Sequence, residues 1–338
     1  MTASRIIAAA VALTLVGGTY IREAPRQLNT EITACAAETY GYFEYNRYSD
    51  HIELTRYTGN EAEVTIPSEI DGLPVTALSG YSEYYSNGGN SGWHYFGVFT
   101  ENKRSYHSEN STLVSVKIPD TVTSIGEKTF YWCSALSSVE ISESITEIGE
   151  EAFSDCDSLT SISIPDSVET LGSSAFSGCD NLHTVRVGAA TVGASAFSSN
   201  NKLTDITISD NVKSIGSCAF SGCTKLEKIT FPDSVKDMGG AVFYGCSSLS
   251  EVTLSNEITS LSSNDRDGFF EGCTSLKSIV IPYYVTSIGE NAFSNAPLES
   301  ITIGARLSSL DNIPLDLSSL KEIKVADENR SYSSEDGI

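Results

Sequence analysis

The chain has 338 residues, 40% of them apolar, and carries 44 acidic against 21 basic side chains, for a formal charge of −23. That apolar content excludes wholesale disorder. The acidity excludes nucleic acid and anionic membranes as partners, since both require a basic footprint. Four His and two Met leave little material for metal or haem, and no sequence pattern asks for a cofactor.

At the start, Arg5 precedes an apolar stretch from Ile6 to Val16. This is too short to span a bilayer and suits a secretory signal, with residues 1–36 removed at the small-residue site Ala34-Cys35-Ala36. The alternative reading takes Ile32-Thr33-Ala34-Cys35 as a lipobox, with Cys35 lipid-modified. Either way the mature chain is expected to be secreted or held at the cell surface, with no membrane span of its own.

Within residues 37–62, positions 40–62 alternate aromatic and polar residues, with Phe43, Tyr45, Ile52, Leu54 and Tyr57 on the apolar beat. This predicts a hairpin that caps whatever follows. An insertion at about 79–110 comes next, containing GYSEYYSNGGNSGWHYFGVF.

From Leu113 onward the sequence repeats. Units begin at Leu113, Leu136, Leu159, Leu182, Leu203, Leu226, Leu249, Leu276, Leu298 and Leu320. A period in the twenties opening L-x-x-[IV]-x-[IV] specifies a leucine-rich repeat solenoid, here spanning 63–325 with the insertion inside it and an incomplete terminal repeat at 326–338. The opening alternation predicts a strand with one buried face, so that stacked coils form a parallel sheet. Proline at 119, 165, 232 and 282 should stop that strand. The glycine at 126, 149, 172, 193, 216, 239 and 289 is read as a corner of positive φ. The Ala-Phe step after it, as in Ala152-Phe153 and Ala219-Phe220, is read as a short helical or 3₁₀ turn that points Phe inward. No coil can bury its apolar face alone, so stacking supplies the core.

Six cysteines recur at one place in the unit: 133, 156, 179, 223, 246 and 273, with Asn200 in that place in the short coil. Buried, unpaired thiols behaving as small hydrophobes are favoured over disulfides, because parallel side chains on neighbouring rungs do not point at each other. Cys218 lies off this column and is expected to be the most exposed of the repeat thiols.

The segments IPDSVETLGSSAFSGC (164–179), ISDNVKSIGSCAFSGC (208–223) and IPYYVTSIGENAF (281–293) resemble the BspA-like class of bacterial leucine-rich repeats, and TIPSEIDGLPVTAL (65–78) looks like that family's first coil. The resemblance covers about residues 40–338. It implies a secreted or surface-attached scaffold for adhesion or other macromolecular binding, with no shared catalytic residues. The pattern is broken at the short coil, at the 27-residue coil and near 310–316.

Two regions are candidates for binding. The insertion concentrates Tyr81, Tyr84, Tyr85, Trp93 and Tyr95 among Gly and Asn, the composition of an adaptable protein-binding loop or of a sugar-stacking surface. The outward strand positions form columns, mostly of small hydroxyl residues, in which Arg186, Asp205, Lys228 and Glu251 are the charged members. In the 27-residue coil Asp265, Asp267 and Gly268 suggest calcium, but the twelfth position from Ser263 is Thr274, so an EF-hand is excluded. No nucleophile elbow or phosphate loop is present, and catalysis is not expected. The expected function is an extracellular scaffold for protein–protein interaction. A carbohydrate-binding accessory module, or a passive spacer for a further domain, are the alternatives.

Overall fold

A computed structural model describes residues 38–87, 90–100, 109–261, 268–308 and 319–333, with backbone alone for residues 83–87 and 90–94. Signal, lipobox and Cys35 therefore lie outside the described residues, as do Asp265, Asp267 and the stretch 310–316.

Before the repeats come β1 (Glu38–Tyr40), β2 (Phe43–Arg47), β3 (Ile52–Tyr57), β4 (Glu63–Thr65), β5 (Glu69–Ile70), β6 (Leu73–Leu78), β7 (Tyr81–Asn87) and β8 (Asn90–Phe96). The coils then contribute alternate first and second strands. These are β9 (Ser115–Lys117), β10 (Ser124–Ile125), β11 (Ser138–Val139), β12 (Glu147–Ile148), β13 (Ser161–Ile164), β14 (Thr170–Leu171), β15 (Thr184–Val187) and β16 (Thr191–Val192). There follow β17 (Asp205–Ile208), β18 (Ser214–Ile215), β19 (Lys228–Thr230), β20 (Asp237–Met238), β21 (Glu251–Thr253), β22 (Ser260–Leu261), β23 (Ser278–Val280), β24 (Ser287–Ile288), β25 (Ser300–Ile303) and β26 (Glu322–Val325).

The chain is a leucine-rich repeat solenoid. First strands pair in parallel with first strands, Ser161 with Thr184 and Thr184 with Asp205, one repeat apart. Second strands do the same, Glu147 with Thr170 and Thr170 with Thr191. The second-strand sheet runs back through β6 to β3, where the antiparallel β2–β3 hairpin closes it, burying Phe43, Tyr45, Ile52 and Leu54. This is the expected N-terminal cap: the hairpin turns its apolar beat onto the first coil and hides the core's exposed end.

The prolines act as the sequence suggests. β13 stops at Ile164, immediately before Pro165, and the proline carbonyl then accepts the Val168 amide at 3.3 Å to open a turn. The same bond forms from Val122 to Pro119 and from Val235 to Pro232.

Two expectations are corrected. No helix occurs among the described residues, and the Ala-Phe step is a third ladder. Amides of Glu151, Phe153 and Asp155 donate forward to the carbonyls of Ser173, Ala175 and Ser177 in the next coil, at 2.8–2.9 Å. The intervening amides of Ala152 and Ser154 turn back within their own coil. Left-handed residues at Glu151 (φ 52°) and Asp155 (φ 59°) set this alternation, which a 3₁₀ turn cannot provide. Nor do the repeat glycines have positive φ. A Cβ on Gly149 would stand 2.5 Å from the Glu127 nitrogen and 2.7 Å from the Gly126 carbonyl carbon, so glycine is there because successive coils touch backbone to backbone. Positive φ falls instead just before each ladder cysteine, on Trp132, Asp155, Gly178, Gly222, Gly245 and Gly272.

The core is a set of columns. Leu136, Leu159, Leu182, Leu203, Leu226, Leu249 and Leu276 are all fully buried. Beside them runs a stack of phenylalanines, 99, 130, 153, 176, 197, 220, 243, 270 and 293, with neighbouring ring centroids 4.8–6.0 Å apart and planes within 18° of parallel. Phe99, at the end of the insertion, fills the place of the repeat phenylalanine below the first full coil.

Candidate interaction surfaces

The insertion is built on β7 and β8, which pair antiparallel from Tyr81 opposite Phe96 to Asn87 opposite Asn90. At its base the aromatics are used for packing. Tyr81 stacks on Phe96 at 5.1 Å, with the Arg56 guanidinium 5.7 Å from its ring centre. Tyr95 lies over Gly80, where an added Cβ would come within 2.9 Å of its hydroxyl, so the glycine seats the ring. Burial, with the charges of Glu127 and Glu53 beside it, pushes the Tyr95 hydroxyl up to about 12. Of the five aromatics the sequence singled out, Tyr81 and Tyr95 thus anchor the hairpin to the solenoid. Farther out, the register sets Tyr84 opposite Trp93 and Tyr85 opposite Gly92.

On the first-strand face the charged members stand on neighbouring rungs. Arg186 donates to the Ile164 carbonyl and to Asp166, both at 2.9 Å. Lys228 stands opposite Glu251 in register, and Asp205 opposite Thr184. Opposite charges on facing strand residues stabilise the pairing of coils. At the far end Glu299 is held between Lys277 (2.9 Å) and Lys321 (2.6 Å), and these two ammonium groups lower its carboxyl to about 2.

The ladder sulfurs face inward. Cys156, Cys179, Cys223, Cys246 and Cys273 each donate to the carbonyl of the phenylalanine one coil back, at 3.1–3.2 Å. Asn200, in the same place, donates to Phe176 at 2.9 Å. Cys218 is partly exposed, unlike the buried ladder thiols. Among the described residues no group of three His, Cys, Asp or Glu is placed to hold a metal ion, and no helix is long and apolar enough to cross a membrane.

Sequence reasoning passed over one exposed cluster. Val280, Tyr283 and Tyr284 are among the few large apolar side chains that stand in solvent, and all three belong to one coil. The signal was available, because Tyr283-Tyr284 replaces the Asp-Ser or Asp-Thr that follows proline at 166–167, 233–234 and 120–121.

A scan of protein families matches residues 102–198 and 190–321 to the BspA type leucine rich repeat region, in six copies. The chain belongs to this family, whose members are typically bacterial cell-surface proteins. Solenoids of this kind serve in general as scaffolds for protein interaction rather than as enzymes.

Among solved structures, a leucine-rich repeat protein from Bacteroides ovatus aligns at 23% identity over 87% of this chain and 77% of its own, with a TM-score of 0.59, and shares the fold. A leucine rich cell surface protein from Faecalibacterium prausnitzii aligns at 24% identity over 90% and 99% of the two chains, with a TM-score of 0.37. No curated protein matched.

Proposed function

We propose that the chain is an exported scaffold, displayed at the cell surface, that binds protein partners and contributes to adhesion. One observation carries this reading. The core is filled by inward columns of Leu, Ile, Val, Ala, Phe and Cys, so the outward positions on the same rungs are not needed to build it. At one register place the outward residue is Ser161, Thr184, Asp205, Lys228 or Glu251, while the inward leucine never changes. A fixed lattice with variable outward groups is what recognition of a macromolecular surface requires. Export rests on residues 1–36, by cleavage after Ala36 or by lipid attachment at Cys35.

A second reading, glycan binding, rests on Tyr84 opposite Trp93 near the tip of the β7–β8 hairpin. The test compares the full chain with a Tyr84→Ala, Trp93→Ala variant on immobilised extracellular proteins and on glycan arrays. Saturable protein binding that survives the double substitution is expected. Glycan signals that vanish only in the variant would transfer the function to the hairpin. Absence of any saturable protein binding would remove the scaffold reading.

A further inference from the structure

The corner that follows β23 differs chemically from the same corner in the other coils. After the first strand, that corner carries Asp120, Glu143, Asp166, Asp210, Asp233 or Asn256 in the earlier coils, except the short coil, where Ala189 stands there. Tyr283 then takes the acidic place and Tyr284 the place beside it, with Arg306 one coil on. The Arg306 amide donates to the Tyr283 carbonyl at 3.2 Å, so main-chain bonding sets the arginine on the rung next to the tyrosines. Its guanidinium carbon lies 4.7 Å from the Tyr284 ring centre and 5.8 Å from that of Tyr283. The two rings meet edge to face, with centroids 4.9 Å apart at 77°. Both rings against the cation are open to solvent, Tyr283 at 43% and Tyr284 at 37% exposed, and Val280, on the strand of the same coil, is 62% exposed.

Charge decides what this surface takes. Among the described residues, Glu299 is engaged by Lys277 and Lys321, and Glu322 by Lys324 at 3.1 Å. Arg306 forms no ion pair with any described residue, in a chain of net charge −23. It is a cation already oriented by two rings, with its hydrogen-bonding edge unspent on acids.

We propose that Val280, Tyr283, Tyr284 and Arg306 form a docking site for a protein segment that presents one carboxylate beside apolar side chains. The carboxylate pairs with the Arg306 guanidinium, and the apolar groups cover Val280 and the tyrosine faces. Tyrosine and arginine grouped around an aliphatic residue are the side chains that dominate binding energy at protein interfaces. A sugar ring would need a flat platform, which two rings at 77° do not make. A segment rich in acids is disfavoured, because the chain's own field repels it. This site rests on the scaffold reading and gives it a place and a partner chemistry.

The test uses the full chain and immobilised short peptides in three matched series. Each has one Glu among Leu and Val, or Gln in its place, or Lys in its place. Two variants accompany it. Tyr283→Asp with Tyr284→Ser restores the residues that other coils carry at this corner, and Arg306→Glu reverses the charge. Unchanged melting temperatures establish that both fold. The Glu series should bind best, and both variants should lower that binding by about tenfold or more. Equal binding of the Glu and Gln series, equal binding by wild type and variants, or no binding of the Glu series would each overturn the site. Glycan retention lost in both variants would do so too. If whole extracellular proteins still bind while the site fails, the scaffold reading stands without it.

Discussion

Asn200 shows how much a single position in a stacked core is constrained. Its side-chain nitrogen replaces a thiol as donor to Phe176 and also reaches the Phe197 carbonyl at 2.9 Å. Its oxygen is buried with no hydrogen-bond partner. An unsatisfied buried acceptor costs free energy that a thiol would not. Asn200→Cys should therefore stabilise the chain by about 1 kcal/mol and raise Tm by about 2–4 °C. Phe197 loses nothing essential, since Cys223 still donates to its carbonyl. Thermal unfolding of the two proteins checks this, and an unchanged or lower Tm counts against it. The sequence already marked position 200 as a turn site that holds Cys or Asn, because both were seen on one beat of the repeat. It did not show which carbonyl needed a donor, for that carbonyl belongs to another coil.

Among the elements, strands were the most legible and corners the least. A period of two with leucine at its head defines a half-buried strand whatever its neighbours do. A glycine, by contrast, admits two explanations that only coordinates separate. At Gly149 the reason is contact with backbone atoms of the previous coil, while at Gly245 φ is +72° and an added Cβ would meet nothing within 4 Å. Gly149→Ala is expected to cost about 3 kcal/mol through overpacking of rigid backbone, and Gly245→Ala about 1–2 kcal/mol through left-handed strain alone. Denaturant titration of both variants tests the order, and a neutral Gly149→Ala would show that the backbone contact does not demand glycine there. The turn at Ala-Phe was misread as helical for a related reason. Its geometry depends on left-handed residues such as Glu151, Ser174 and Cys218, whose side chains do not advertise that conformation. The Tyr283–Arg306 pair was hidden by distance along the chain: 23 residues separate partners that stacking makes adjacent.

At the scale of the whole molecule the buried thiols act together. Burial pushes Cys179 and Cys246 up to about 12, and holds Cys156, Cys223 and Cys273 above the ordinary thiol value as well. In the unfolded chain each ionises near pH 8.5. The native state then keeps protons that the unfolded state gives up, so the contribution of these groups to stability is complete below that pH and drains away as pH climbs toward about 12. The midpoint of unfolding should fall steadily across that alkaline interval, and less so in a Cys179→Ala, Cys246→Ala variant. A flat profile would show that the sulfurs are not sealed. Until the coils part, thiol reagents should reach Cys218 first among the described cysteines.

The phenylalanine stack carries a last implication. Each ring meets near-copies of itself above and below, so no coil is irreplaceable to its neighbours. Excising one whole unit, such as residues 159–181, would bring Leu136's turn against Leu182's with every partner matched in kind. Recombination between tandem copies can thus lengthen or shorten such a protein in whole steps, changing its reach and its outer decoration while leaving the interior grammar untouched.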